Sequence, residues 1–169
     1  MRYGGVMWKG WFDSVHNTGN WMQAWKEEPY RSQYKQAIKQ FAAFMRLQGA
    51  GRPMTKVEED DNKITFTVDT CGSGGIFRQT GKYGPPHNFP TTIDPAPLTM
   101  GRSNFPFYCQ HCAVFHYKNP IEWNGTIWPV MKPGEGDDHR CIMEFWKDPA
   151  DIPEEYYKSV GKEKPTSDT

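Results

Sequence analysis

The chain has few aliphatic side chains and no excess charge of either sign. Leu, Ile, Val and Phe number 2, 8, 7 and 10, which is 27 of 169 residues. So low a share accompanies intrinsic disorder only when the net charge is also high, and here 20 basic residues balance 20 acidic ones. The zero net charge, without a polybasic segment, argues against a nucleic-acid partner held through its phosphates. We therefore expect a folded protein that binds no nucleic acid.

Long hydrophobic runs are also missing. No run of 18 apolar residues occurs, and the first ten residues lack the charged-then-apolar pattern of a secretory signal. These absences predict a cytoplasmic protein with no membrane segment. In that reducing compartment cysteines serve metals or chemistry more often than disulfides, so the four cysteines are the most informative residues: Cys71, Cys109, Cys112 and Cys141.

Aromatic residues replace the missing aliphatic volume, with 7 Trp, 8 Tyr and 10 Phe. Tryptophans cluster near the start and predict an aromatic arm over residues 1–28; they are Trp8, Trp11, Trp21 and Trp25. Trp buries a large area but keeps a polar N–H. An arm that packs across a two-fold axis would satisfy both needs, so we expect a homodimer. The alternatives are an arm folded onto its own sheet and an accessory subunit whose tryptophans dock a larger partner.

Residues 29–160 are predicted to form one α+β domain with an antiparallel sheet, and residues 161–169 a frayed tail. An amphipathic helix is expected to begin near Pro29, because apolar residues recur at spacings of 4, 4, 3 and 4: Tyr30, Tyr34, Ile38, Phe41 and Met45. Alternation predicts strands at residues 64–68 and 140–146. A short helix is expected within residues 148–157.

Three other stretches are interpreted from their composition. Residues 79–106 are proline-rich and predict a long ordered loop. Residues 107–117 could be a short helix or a strand, because periodicity does not decide between them. Asn124-Gly125, between two apolar stretches, predicts a β-hairpin with a two-residue turn.

A metal site is predicted at Cys109 and Cys112. Their Cys-x-x-Cys spacing is a common half-site for zinc, and His116, four residues further on, would share a helix face with Cys112. A further ligand must come from elsewhere, and Cys71 or Cys141 could supply it. The predicted zinc ligands are Cys71, Cys109, Cys112 and His116.

Two interpretations compete with this metal site. Cysteine is among the most often buried residues, so the pair could simply be packed in the core. A redox-active dithiol is the other alternative, but the sequence before Cys109 lacks the strand of a thioredoxin-like unit. His111 is an alternative histidine ligand to His116.

A glycine-rich segment follows the predicted strand 64–68. Glycines at a strand exit allow backbone N–H groups to turn inward and bind an anion, and Arg78, close behind, could pair with it. The candidate substrate-binding residues are therefore Gly72, Ser73, Gly74, Gly75 and Arg78. A tight turn that needs glycine for its dihedral angles is the alternative.

The segment GEGDDHRCIMEFWKDP at residues 134–149 contains a Gly/Asp turn, a cysteine and then an alternating strand. It resembles the close of the L-2-amino-thiazoline-4-carboxylate hydrolase-like family and of 4-vinyl-reductase-type small-ligand domains. The resemblance implies an α+β domain with a helical N-terminal part and an antiparallel sheet. In the hydrolase-like family a cysteine-bearing segment precedes the final strand, and residues 108–112 occupy the analogous place here.

These patterns predict a zinc-dependent enzyme, of hydrolase or lyase type, that acts on a small polar or carboxylated molecule. Zinc would polarise a carbonyl or imine-like carbon or activate water. Cys71, His87 and His111 are the candidate catalytic residues, with His87 placed as an acid or base in the long loop. The alternative is a non-catalytic ligand-binding or sensor domain with a structural zinc, whose four protein ligands would leave no open position.

Overall fold

The computed structural model describes residues 55–72, 74–136 and 138–165, together with Gln36 and Lys39. The chain divides into two units, Met1–Phe44 and Met45–Thr169, and all elements below belong to the second. Gln36 and Lys39 are helical and exposed. The remainder of the expected amphipathic helix, the aromatic arm at residues 1–28 and the end of the tail lie outside the described residues.

A four-stranded antiparallel sheet is the centre of the second unit. Its order is β1-β2-β6-β5, with the strands β1 Thr55–Glu59, β2 Lys63–Val68, β5 Val130–Pro133 and β6 Cys141–Trp146. A second, two-stranded sheet joins β3 Thr91–Thr92 to β4 Phe105–Pro106. The predicted strands at 64–68 and 140–146 are confirmed, and an antiparallel sheet combined with helices agrees with the expected α+β class.

The core lies on one face of this sheet. Every second residue of β2 is buried, and each pairs with a buried residue of β6: Ile64 with Phe145, Phe66 with Met143, and Val68 with Cys141. The rings of Phe66 and Phe145 are 4.9 Å apart and tilted by 53°. Burial of such rings supplies most of the stabilisation that the scarce leucines do not.

Residues 107–124 are helical throughout, which decides the alternative that the sequence left open. The turns run as a 3-10 helix Phe107–Cys109, α2 Gln110–Cys112, a π-helix Ala113–Lys118 and α3 Asn119–Asn124. The buried Tyr117 fastens this segment to β5. Its hydroxyl donates to Met131 O at 2.6 Å and accepts from Met131 N–H at 3.0 Å.

The hairpin prediction at Asn124-Gly125 is wrong. Asn124 ends α3, and Gly125 caps that helix with a φ of 71° while its N–H donates to Ile121 O. The positive φ that glycine provides serves a helix C-terminus as readily as a hairpin turn.

The remaining helices are short. α1 Gly74–Gln79 follows β2 directly, and α4 Glu154–Ser159 begins after Pro153, which confirms the helix expected near the C-terminus. Single 3-10 turns span Pro97–Thr99 and Pro149–Asp151. Among the described residues no helix combines the length and the apolar character that crossing a bilayer requires.

Candidate functional site

All four cysteines are buried and carry free thiols. Cys141 begins β6 opposite Val68, the last residue of β2, and Cys71 follows Val68 by three residues as the chain leaves the sheet. The Cys141 thiol is hydrogen-bonded to Cys71. The antiparallel register therefore brings together two cysteines that are 70 positions apart in the sequence.

Two glycines allow Cys109 to lie close to the pair formed by Cys71 and Cys141. Gly74 and Gly75 form the first turn of α1, which is fixed to Cys71 by a 2.9 Å hydrogen bond from Ile76 N–H to Cys71 O. A Cβ atom on Gly74 would lie less than 3.0 Å from Cys109 Sγ, closer than real Cβ contacts come, and one on Gly75 would lie 3.0 Å from Cys71 Cβ. A side chain at either position would force its neighbours to move, so close packing accounts for these glycines, whereas the sequence interpretation invoked an anion-binding turn or dihedral freedom.

Cys109 and Cys112 lie one helical turn apart in the segment that follows β4. Burial raises the pKa of Cys109 to about 11, with a smaller contribution from Cys71. Burial also raises the pKa of Cys112, to which Cys71 and Cys109 add. The pKa of Cys141 is raised by its hydrogen bond with Cys71 and by burial. The four side chains therefore form one group, called the thiol cluster below, and stay protonated at neutral pH unless a cation approaches.

The two candidate histidine ligands lie differently with respect to this cluster. His111 is at its edge: Nδ1 is 2.5 Å from Tyr108 O, and Nε2 is 3.6 Å from Cys112 Sγ. His116 is buried in the π-helix, where burial and secondarily His111 lower its pKa to about 3. As the side chains stand, no three His, Cys, Asp or Glu residues in the described part of the chain are already arranged around one ion.

An open cavity of about 760 Å³ lies near the C-terminal end of α1, where Arg78 lines it. Its lining includes two arginines, a tyrosine and a histidine, together with apolar residues of β4: Arg78, Arg102, Tyr83, His139, Phe105 and Pro106. Arg78 belongs to α1 and is the one member of the predicted substrate-binding set that lines this cavity. Gly72, Gly74 and Gly75 are not among the lining residues, and Ser73 lies outside the described residues.

Backbone carbonyls hold both arginines in place. Arg78 Nη2 donates to Gly136 O at 3.2 Å and also to Asp138 O. Arg102 donates to Pro133 O, and its closest carboxylate oxygen is that of Glu135, 3.7 Å away on a side chain that is 82% exposed. These bonds fix the positions of the guanidinium groups without neutralising their charge.

The Asp138 carboxylate is directed to a third arginine. It accepts from Arg140 Nε at 2.9 Å and from Arg140 Nη2 at 3.0 Å, and these bonds lower the pKa of Asp138 to about 2. Arg140 does not line the cavity. The Asp138 carboxylate is therefore engaged by Arg140 outside the cavity, whereas Glu135, on an exposed side chain, lines the cavity 3.7 Å from Arg102. Two arginines against this one carboxylate leave a net positive charge at the cavity.

Two polar atoms at the cavity are buried without a hydrogen bond to the described residues: the Tyr83 hydroxyl and His139 Nδ1. Burial raises the pKa of Tyr83 to about 12, with a further contribution from Cys109, so this hydroxyl is a neutral donor at pH 7. His139 precedes Cys141 by two residues. Tyr83 and His139 thus connect the cavity with the thiol cluster.

The structure does not bring the three candidate catalytic residues together. Cys71 belongs to the thiol cluster, His111 lies at its edge, and His87 is exposed with Nε2 2.8 Å from Lys82 Nζ. None of the three lines the cavity. Arg102, Tyr83 and His139 were missed from the sequence because each lies in an irregular segment whose neighbours carry no recognisable motif.

Comparison of the chain with protein-family models, with curated proteins and with solved structures finds no match.

Proposed function

We propose that this protein binds a small organic carboxylate in the cavity lined by Arg78 and Arg102. One observation supports this most strongly: two guanidinium groups are fixed by backbone carbonyls beside a cavity whose nearby Asp138 carboxylate is already bound by Arg140. Guanidinium groups form paired, charge-assisted hydrogen bonds with carboxylates. Tyr83 and His139 also line the cavity and carry polar groups of the kind that hydrogen-bond the rest of an organic ligand.

The walls favour an organic molecule over an inorganic anion. A cavity of about 760 Å³ is in the size range of sites for small organic ligands and cofactors. Phe105 and Pro106 supply apolar surface, and Tyr83 adds an aromatic ring with a polar end. Such a wall stabilises a planar or unsaturated body through contact area, while the arginines bind the charged end.

Binding, rather than turnover, is the function that this arrangement supports best. A hydrolase or lyase needs its nucleophile or general base within hydrogen-bond reach of the reacting group. The candidates Cys71, His87 and His111 do not line the cavity, and the Nδ1 atom of the histidine that does, His139, is buried. We therefore favour the ligand-binding or sensor domain over the zinc-dependent enzyme that the sequence also suggested.

The first experiment is a calorimetric titration of the whole chain with benzoate and with succinate. Benzamide is the matched neutral probe, and inorganic phosphate tests for unselective anion binding. We expect at least one carboxylate to bind with a larger binding constant than either benzamide or phosphate. Equal binding of benzoate and benzamide, or binding of phosphate alone, would show that the arginines do not select a carboxylate.

Variants assign that binding to the cavity. Arg102→Gln should weaken carboxylate binding by about ten-fold or more, the usual loss for a hydrogen bond to a charged group. Lys56→Gln is the charge-matched control, because it removes one positive charge from an exposed side chain of β1 that does not line the cavity. Arg78→Lys keeps the charge but loses the fork geometry and should give an intermediate loss. If Lys56→Gln weakens binding as much as Arg102→Gln, the site is elsewhere.

A further inference from the structure

We propose that Cys71, Cys109, Cys112 and Cys141 form a tetrahedral zinc site, in which Cys141 takes the place that the sequence gave to His116. This site is separate from the carboxylate cavity and does not depend on it. It differs from the site expected from the sequence in its fourth ligand, and it has four sulfur donors and no nitrogen donor.

Three chain segments converge to build it. The β2–β6 register places Cys141 beside the end of β2, and the hydrogen bond between Cys141 and Cys71 shows that these two thiols are neighbours. Two adjacent glycines in the first turn of α1 lie between Cys71 and Cys109. Gly75 packs next to the Cys71 side chain, and Gly74 packs next to the Cys109 side chain. Cys112 follows one helical turn later. A Cys-x-x-Cys pair is a usual half-site for structural zinc, and four cysteines are one of its usual ligand sets.

The donor chemistry fits zinc. Burial favours the neutral form of the four thiols, of which Cys112 has His111 Nε2 at 3.6 Å from its Sγ, and binding a divalent cation offsets the burial cost of four thiolates. Zinc binding would break four S–H bonds, form four Zn–S bonds and release four protons to solvent. With Zn–S bonds of about 2.3 Å, the sulfurs of a tetrahedron lie about 3.8 Å apart.

The thiols are neighbours but do not yet surround one point. Forming the tetrahedron requires rotations about their Cα–Cβ bonds, and the segments that carry them come together at the start of α1. Four thiolates complete the coordination of zinc, so no position remains for water or substrate. The site would accordingly stabilise the junction of β2, α1, α2 and β6.

The decisive measurement uses the unmodified full-length chain. Elemental analysis after purification without added metal should give one zinc per chain, and zinc X-ray absorption should show four sulfur neighbours at about 2.3 Å. A shell of three sulfurs and one nitrogen would overturn Cys141 as the fourth ligand. Absence of stoichiometric zinc, combined with failure of the reduced protein to take up added zinc, would overturn the site altogether.

A pair of variants separates the two candidate ligands. Cys141→Ser should weaken zinc binding by about 100-fold or more in a chelator competition, because one of four strong bonds is lost. His116→Gln, a change at a buried histidine outside the proposed set, should leave zinc stoichiometry unchanged. The reverse result would restore His116. If Cys141→Ser does not fold, the X-ray absorption of the unmodified protein still decides between the two sets.

An oxidised pair is the remaining outcome. A protein isolated under reducing conditions whose mass is lower by two hydrogens, with Cys71 and Cys141 linked in its peptide map, would overturn the zinc site. Titration with benzoate or succinate tests the carboxylate cavity. If Cys141→Ser loses zinc binding but keeps its carboxylate affinity, the zinc site and the cavity are independent of each other.

Discussion

The thiol cluster and the cavity differ in what they contain. The thiol cluster is buried and holds four free thiols, with His111 Nε2 at its edge 3.6 Å from Cys112 Sγ. The cavity is open and contains two arginines, while the carboxylate among its lining residues, that of Glu135, is largely exposed. The thiol cluster is therefore suited to a cation, and the cavity is suited to an anion.

One short helix makes this difference possible. Its first turn, Gly74 and Gly75, has no side chains and lets the cysteines approach, while its last turn carries Arg78 to the cavity. The glycine-rich start of α1 thus shapes the thiol cluster, and the end of the same helix contributes to the cavity. The predictions that follow test how independent the thiol cluster and the cavity are, from the largest expected effect to the smallest.

Gly74→Val should have the largest effect. Its Cβ would overlap Cys109 Sγ, and overpacking a tight core site typically costs about 1–3 kcal/mol, occasionally more. We expect a loss at the upper end of that range in the free energy of unfolding, measured with urea. Gly84→Ala is the matched control, because its closest neighbour would be an ordinary 3.8 Å contact with Gly81 O. Equal stability of the Gly74 variant and the control would show that α1 is not wedged against the cluster.

The second prediction concerns pH. His116 has a pKa lowered to about 3 by burial and by His111, against an ordinary value of 6.5. In the unfolded chain this histidine is protonated below about pH 6.5, whereas in the folded chain it stays neutral down to about pH 3. The free energy of unfolding therefore decreases as the pH falls from about 6.5 to about 3. His116→Gln should flatten the pH dependence of the unfolding free energy between pH 6.5 and 4. An unchanged slope would contradict the burial of this histidine.

Tyr117→Phe should cost about 1–3 kcal/mol, because it leaves the buried N–H and C=O of Met131 without their partner. The change acts on the junction between the π-helix and β5, away from α1. We therefore expect lower stability with carboxylate affinity unchanged. Tyr108→Phe is the control, since the Tyr108 ring is half exposed and its hydroxyl makes no hydrogen bond among those described. Urea unfolding and benzoate titration of both variants provide the measurement.

The smallest effect is expected for Arg140→Gln. The Arg140–Asp138 pair is largely exposed, with side chains 60% and 37% accessible, and exposed ion pairs contribute little to stability. Unfolding at neutral pH should show little or no loss. A larger loss would mean that the pair fixes the loop that holds Arg78 and Arg102, and the two arginine systems would then not be independent.

Local periodicity was sufficient to predict part of this fold. The alternation in residues 64–68 and 140–146 identified two central strands, because each has one buried face. β1 was missed since its described side chains are exposed and carry no apolar alternation. The hairpin prediction at Asn124-Gly125 was wrong because a glycine with positive φ occurs both in hairpin turns and at helix C-termini. The residues of α3 that precede Gly125 decide between these two structures.

The candidate site was less predictable because it depends on long-range pairing. Cys141 could be considered as a ligand from its residue type alone, but its position beside Cys71 follows from the β2–β6 register. The cavity combines Arg78, Arg102 and His139 through loops that no short motif describes. The cysteines and arginines in the sequence indicated which kinds of ligand the protein could bind. Only the pairing of the strands and the path of the loops determined which of these residues lie together.

The buried Glu144 has a consequence for that pairing. Its Oε1 accepts from Lys63 of β2 at 2.7 Å and from Lys132 of β5 at 2.8 Å, so one carboxylate oxygen links β6 to both neighbouring strands. Shifting β6 by a single residue would turn Glu144 towards the apolar face and break both ion pairs. The same shift would carry Cys141 away from Val68 and out of reach of Cys71. The register that pairs Glu144 with both lysines is therefore the same register that places Cys141 beside Cys71.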